Sequence, residues 1–482
     1  MKKQFFYAAL AIGMMSSCSS NDLPGNQAPE EQLPEEEKVA IELGASPLNA
    51  VVTTRGAGFA GNQNDGDAAY WDKQELGILM VNKIKASDVD PGLWKAMDGT
   101  EYIFKGLTFS APDDATTQVG TTKITNNEGR VCYYPLQGAF DFYGWHFDDA
   151  QESTPIDIDT WTGTTDELNP VKSLESELTI NGTQDIMVGF AELTNPQKAQ
   201  FSADITGGMS ENDAYERAYS SWAARRSVQP YITFKHLLAR LDFRAILGED
   251  LTVVTTDKIT VDANYDTDYE TESEGGIYPD KDASNQIDNG VYVKSIEVLA
   301  PNDKFTVVVA DVDPDNLGIK ASTPTQSQPG DPKNFTLQRK PTASEITDGS
   351  GLGKKMRKLL PVNAGYKKNT ESELTNTDVP VGDGILIVPG ESQFRMRVVL
   401  MQYVPVVDQN DATDPSVVTN KYKWKEASME TDVKLASGTF VAGKYYTVNV
   451  KIYGFQKIEV NAVLQQWQEG SDIDSNPEDE NF

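Results

Sequence analysis

Two cysteines and two histidines are all that 482 residues offer as thiol or imidazole ligands. Cys18, Cys132, His146 and His236 leave no material for a histidine/cysteine zinc site. If Cys18 is consumed as argued below, Cys132 has no partner for a structural disulfide. Positive charge is also scarce: 42 Lys and Arg stand against 73 Asp and Glu, a formal net charge of −31. Such a surface repels phosphate backbones, which argues against a nucleic-acid partner, and it keeps a secreted protein soluble. Helical periodicity is rare as well. No P-loop, GxSxG, HExxH or dinucleotide fingerprint occurs, and carboxylates are too numerous for any two to stand out as a glycosidase pair. Nothing supports an enzyme, and neither a metal nor a cofactor is expected.

Apolar material is sufficient for real cores: hydrophobic residues are 39% of the chain and aromatics 9%. The length favours two or three domains. Lys2 and Lys3 precede an apolar run from Phe5 to Met15, too short to span a bilayer, which reads as a secretory signal over residues 1–17. It ends in Met15-Ser16-Ser17-Cys18, small residues before a cysteine as in a bacterial lipobox, with Met15 where leucine is usual. Lipidation of Cys18 would hold the chain on a membrane, each acyl CH₂ contributing about 0.8 kcal/mol. The Pro- and Glu-rich stretch that follows has the composition of a tether.

Val39, Ile41 and Leu43 alternate with Ala40, Glu42 and Gly44, the pattern of one half-buried strand. Arg55 then stands before Gly56 in a glycine-rich polar segment, where a trypsin-like protease could reach it. From Glu75 onward come short runs rich in Ile, Val, Tyr, Phe and Thr, separated by Asp, Gly, Pro and Asn clusters, which predict antiparallel sandwiches. Ser210 to Arg226 is the best helix candidate, and a boundary is placed near Val228. Near the C-terminus Tyr446, Val448, Val450 and Ile452 form one alternating row, and Ile458, Val460, Ala462 and Leu464 a second, before an acidic tail.

Other motifs carry blander readings. His236, in TFKHLLARL, and His146, in YGWHF, read as core histidines, and Tyr143 and Trp145 as core aromatics rather than a sugar platform. DVDPDN at 311–316 lacks the glycine and glutamate of a calcium loop, with Asn316 and Ser322 at those positions, and reads as an acidic turn.

Together the SSCSSND region, TTRGAG, DIMVG, FKHLLARLDFRA and the closing GKYYTVNVKIYGF…IEVNAVLQQW resemble the type V pilins, the fimbrillin family of Bacteroidales, lipoprotein-precursor pilins of major and minor fimbriae. The resemblance rests on their order and spacing over nearly the whole chain. It implies an all-β fold of two tandem β-sandwich, transthyretin-like domains with few short helices. The expected segments are a signal at 1–17, a tether and propeptide strand at 18–55, sandwiches at 56–228 and 229–454, and a donor strand with acidic tail at 455–482. It further implies export as an outer-membrane lipoprotein precursor and cleavage between Arg55 and Gly56 by an arginine-specific protease. The strand bearing Val39, Ile41 and Leu43 is then displaced, and its place is taken by the strand of another pilin subunit bearing Ile458, Val460, Ala462 and Leu464. That is β-augmentation, and the product would be an extracellular fimbrium supporting adhesion. The alternative is a monomeric outer-membrane lipoprotein that binds glycans.

Overall fold

The computed structural model describes residues 38–45, 77–82, 102–104, 122–123, 131–134, 138–148, 150–154, 156, 173–204, 217–247, 258–261, 282–288, 291–311, 313–326, 333–338, 360–361, 382, 384–405, 422–454 and 457–465. The protein is all-β. Its strands are β1 (Glu42–Ala45), β2 (Gly77–Asn82), β3 (Tyr102–Phe104), β4 (Thr122–Lys123), β5 (Phe140–His146), β6 (Gln151–Thr154), β7 (Ser173–Thr179), β8 (Met187–Ala191), β9 (Tyr231–His236), β10 (Ala239–Leu247) and β11 (Lys258–Thr260). The series continues with β12 (Gln286–Asp288), β13 (Val291–Leu299), β14 (Lys304–Asp311), β15 (Gly318–Ile319), β16 (Phe335–Thr336), β17 (Leu360–Pro361), β18 (Ile385–Ile387), β19 (Gln393–Pro405), β20 (Tyr422–Lys434), β21 (Tyr445–Gly454) and β22 (Lys457–Gln465).

The first sheet has seven strands in the order β3-β2-β5-β8-β9-β1-β4. It is covered on both faces. Ile78, Met80, Phe140 and Phe142 belong to one core, while Leu79, Val81, Tyr143 and Trp145 belong to a second, larger one. Burial on both sides explains why β5 and β8 read as continuous apolar runs rather than alternating ones. Gly77 lies opposite Trp145, and a Cβ at Gly77 would fall 1.9 Å from the indole. Glycine there gives the ring its room in the sheet.

The large core runs on into the other layers. A sheet ordered β15-β14-β7-β6 contributes Leu174, Leu178, Phe305 and Val307, and β14 lies against β5. The run KFTVVVADV, grouped from sequence with the second series of strands, thus pairs with β7 of the first. A sheet ordered β18-β10-β21-β22 brings in Phe243, Val448, Val450 and Ile452, and the sheet of β16, β13, β19 and β20, with β17 on β13, adds Ile296, Val298, Val398 and Leu400. A third, small core of Tyr292, Tyr403 and Trp424 with the β11–β12 hairpin caps the far end of β13, β19 and β20. The chain passes from the first sheet to the next at Leu237-Leu238, between β9 and β10.

Most pairings are antiparallel, as the short runs predict, but β1 with β9 and β10 with β21 are parallel. In each case the partners are separated by nearly two hundred residues or more, so chain length places no bar on a parallel crossover.

Of the predicted helix from Ser210 to Arg226, the described part contains one short helix, α2 (Ser221–Ala224), whose N-cap Ser220 accepts from the Ala223 amide. A ten-residue helix that the pattern does not flag, α1 (Asn195–Asp204), precedes it. Its hydrophobic residues are too few and too scattered to form a stripe.

Candidate functional site

The N-terminal segment is built into the first sheet along both of its edges. On one side, Ala40 forms a bridge with Tyr133, the Ile41 amide donates to the Cys132 carbonyl at 2.9 Å, and the Tyr134 amide donates to Val39 O at 2.9 Å. Further along, Glu42 and Leu43 pair with Lys123 and Thr122 of β4. On the other side, the Gly44 amide donates to Pro230 O at 3.0 Å, where β1 joins β9.

Pro230 has no N–H, so the parallel ladder can take nothing more from the backbone at that point. The Gln229 side chain continues it. Its Oε1 accepts from the Glu42 amide at 3.3 Å, and its Nε2 donates to Ala40 O at 3.3 Å. Tyr134 Oη donates to the same Oε1 at 3.2 Å. Burial, then the neighbouring Tyr219 and Glu42, push the Tyr134 phenol well above its ordinary range, which keeps it a donor. Gln229 is itself fixed: its carbonyl accepts from Gln197 Nε2 on α1 at 2.7 Å, and the preceding Val228 amide donates to Ala223 O of α2.

Side chains complete the hold. Ile41 and Leu43 are fully buried in the smaller core, and Val39 packs against it partly exposed. At roughly 1.5–3 kcal/mol for each large aliphatic, the two buried residues contribute about 3–6 kcal/mol to seating the strand. Cys132, also fully buried, lies directly opposite Ile41. Of the predicted triad, Leu43 lies on β1 and Val39 and Ile41 in the bridged segment just before it, with Ile41 and Leu43 in the core.

The second predicted strand is β22. It is the outer strand of its sheet and pairs antiparallel with β21, Ile458 opposite Ile452, Val460 opposite Val450, Ala462 opposite Val448 and Leu464 opposite Tyr446. The β21 partners Tyr446, Val448, Val450 and Ile452 are buried, and the two stretches predicted from sequence are in register. Cys18, Arg55, Gly56 and the tail after Gln465 lie outside the described residues.

The motifs given bland readings are engaged inside the fold. His236 Nδ1 lies 2.9 Å from Asp185 Oδ1, and His146 is buried in β5. Tyr143 and Trp145 are core residues, with Tyr143 Oη donating to Asp311 O at 2.8 Å. Neither aromatic presents a face to a sugar. In DVDPDN, Asp311 Oδ1 accepts from the Asp313 amide and Asn316 Nδ2, and Asp313 caps a 3₁₀ turn. Among the described residues no group of three His, Cys, Asp or Glu side chains is placed to hold a metal, and no helix is long and apolar enough to cross a membrane.

No family model matches the chain, and no curated protein matches it in sequence. Solved structures do. A putative cell adhesion protein of Bacteroides uniformis matches 90% of this chain and 100% of its own, at 12% identity and a TM-score of 0.37. A fimbrial assembly protein of Parabacteroides distasonis matches 89% and 99%, at 8% identity and a TM-score of 0.29. A fimbrilin of Porphyromonas gingivalis matches 89% and 98%, at 10% identity and a TM-score of 0.26.

Proposed function

We propose that the chain is a subunit of a cell-surface fimbrium that supports adhesion, and that it polymerises when its N-terminal strand is exchanged for the C-terminal strand of another copy. One observation carries the reading: the 38–45 segment is an inserted strand whose removal takes two fully buried aliphatics out of a core made otherwise by residues 78–232. The link from that strand to β2 contains Arg55 in its glycine-rich setting, so one cut there frees the strand from its covalent tether. What is left is an apolar slot with unpaired backbone on β9 and on 131–134, a template for another extended chain.

In this reading Cys18 carries the acyl anchor of an outer-membrane precursor, and an arginine-specific protease cuts between Arg55 and Gly56. The two sandwiches form the body of the subunit, with β9 and β14 from beyond residue 228 joined to strands of the first, and residues 455–482 form the donor end. A strand with the apolar row Ile458, Val460, Ala462 and Leu464 could contribute on the order of 5–10 kcal/mol in the slot before ordering costs.

The test uses the chain from Ser19 onward, which lacks the signal and the acylated Cys18 of this reading. Arginine-specific protease should produce one cut after Arg55, followed by detergent-resistant ladders on a gel. The same chain ended before Phe455 should be cut but form no ladder. If Arg55 resists, or if the clipped chain stays monomeric with its N-terminal fragment bound, the reading fails.

A further inference from the structure

The slot holds β1 in a way that ignores most of its side chains. Positions 39, 40, 41, 42 and 44 are held through backbone atoms, two of them by the Gln229 amide. Only positions 41 and 43 send side chains fully into the core. An incoming strand must therefore offer a large aliphatic at each of two alternate positions, and its register depends on where the single carboxamide of Gln229 meets its backbone.

The chain contains a second segment that meets this demand. Ile41-Glu42-Leu43-Gly44-Ala45 is echoed by Ile458-Glu459-Val460-Asn461-Ala462, with Ile, Glu and Ala identical and Leu replaced by Val. Gly44 is not in the left-handed region, so an asparagine can take its backbone conformation. The order of residues is the same in both segments, which sets the direction: parallel to β9, as β1 is.

Resting on the strand-exchange reading above, we propose that the slot accepts Ile458–Ala462 of a second copy in one register, with Ile458 in the place of Ile41 and Val460 in that of Leu43, and that Gln229 is the positioning residue that fixes it. Its amide would meet the backbone at 457 and 459 as it now meets 40 and 42. A slip of two residues puts either Ala462 where Leu43 sits, leaving that site underfilled, or Gln456 where Ile41 sits. A slip of one sends Lys457 and Glu459, or Glu459 and Asn461, into the core.

Cys132 makes the register measurable. It lies opposite Ile41, and hydrogen-bonded antiparallel partners have Cα atoms about 5.5 Å apart, within the span of a disulfide. In the uncut chain from Ser19, the Ile41→Cys variant should form an internal disulfide with Cys132 under oxidised glutathione, which establishes the geometry. After the cut, the Ile458→Cys variant should give reducible links between subunits, and Val460→Cys should give at least tenfold fewer. Adding Gln229→Ala should erode that preference, with Val460→Cys gaining links by slippage. Peptides of residues 455–465 carrying either the Ile458→Cys or the Val460→Cys change, each present in excess during the cut, are read by mass for linkage to Cys132. Polymers that link through 460 rather than 458 overturn the register while leaving strand exchange standing. No polymer, but a peptide that links at 458 and not at 460, overturns the fibre reading and supports the slot. A peptide that links at neither position overturns the proposal, and an unchanged preference in Gln229→Ala removes Gln229 from its role.

Discussion

Replacing Leu43 with alanine should make the buried thiol of Cys132 react faster in the uncut chain. Leu43 is fully buried on β1, and Cys132 lies beside the same segment, opposite Ile41, with no exposed surface. Truncating a buried leucine costs about 2–5 kcal/mol, and the lower part of that range suits a site flanked by the two-residue strand β4, which can relax. A cost of about 2–3 kcal/mol raises the population with β1 detached by roughly 30- to 150-fold. If reclosure outpaces labelling, the rate with a thiol reagent rises by the same factor. The assay is stopped-flow labelling of the chain from Ser19, in which Cys132 is the only thiol. Leu400→Ala is the control: the same chemical change, fully buried in the other core on β19. It should lower global stability with a far smaller effect on labelling. Equal acceleration by the two variants would mean that the thiol is reached by global unfolding and that β1 is no separable unit.

Three further outcomes follow from the geometry. Tyr134→Phe removes the hydroxyl that donates to Gln229 but keeps the ring contacts with Phe140 and Phe142; it should cost about 0.5–1.5 kcal/mol in urea unfolding and speed hydrogen exchange at Glu42 more than at Gly44. Gly77→Ala should cost about 3 kcal/mol or more and change the near-UV signal of Trp145, because a Cβ there overlaps a buried indole that has nowhere to move. On the outer face of β13, β19 and β20, Glu297, Arg397 and Glu430 lie directly opposite one another, and hydrogen bonding to Arg397 holds the Glu430 carboxyl below its ordinary value of 4.5. With the folded value lowered, this contribution is complete above about pH 4.5 and is lost as pH falls through the folded value. Glu430→Gln should therefore lower the neutral plateau of a pH–stability curve slightly and leave its acid end unchanged, so that the limb between them flattens.

Patterns that depend on nearest neighbours were legible in the sequence, and contacts that depend on distant ones were not. The alternation of Val39, Ile41 and Leu43 marks a half-buried strand because side chains alternate faces whatever the partner is. The rows on β21 and β22 are readable for the same reason, and only two residues separate the strands. Gln229 carries no such signal. It is a polar residue before a proline, and its partners at 40 and 42 are nearly 190 positions away. The missing N–H of Pro230 is the one local hint that a side chain must stand in for the backbone. The pairing of β14 with β7 was hidden for a related reason: both are apolar runs that would fit several sheets, and nothing local chooses between them.

The separation of β1 from β9 also bears on when the first sheet can close. A chain made from its N-terminus presents β1 early, yet the carbonyl of Pro230 and the amide of Gln229 appear only after almost two hundred more residues. β10 waits as long again for β21. Pairings at such range are slow, because loop closure must be completed before any contact rewards it. Through that interval Ile41 and Leu43 lack the β9 edge that seats their strand over the core, and whatever escorts the nascent chain must shield them.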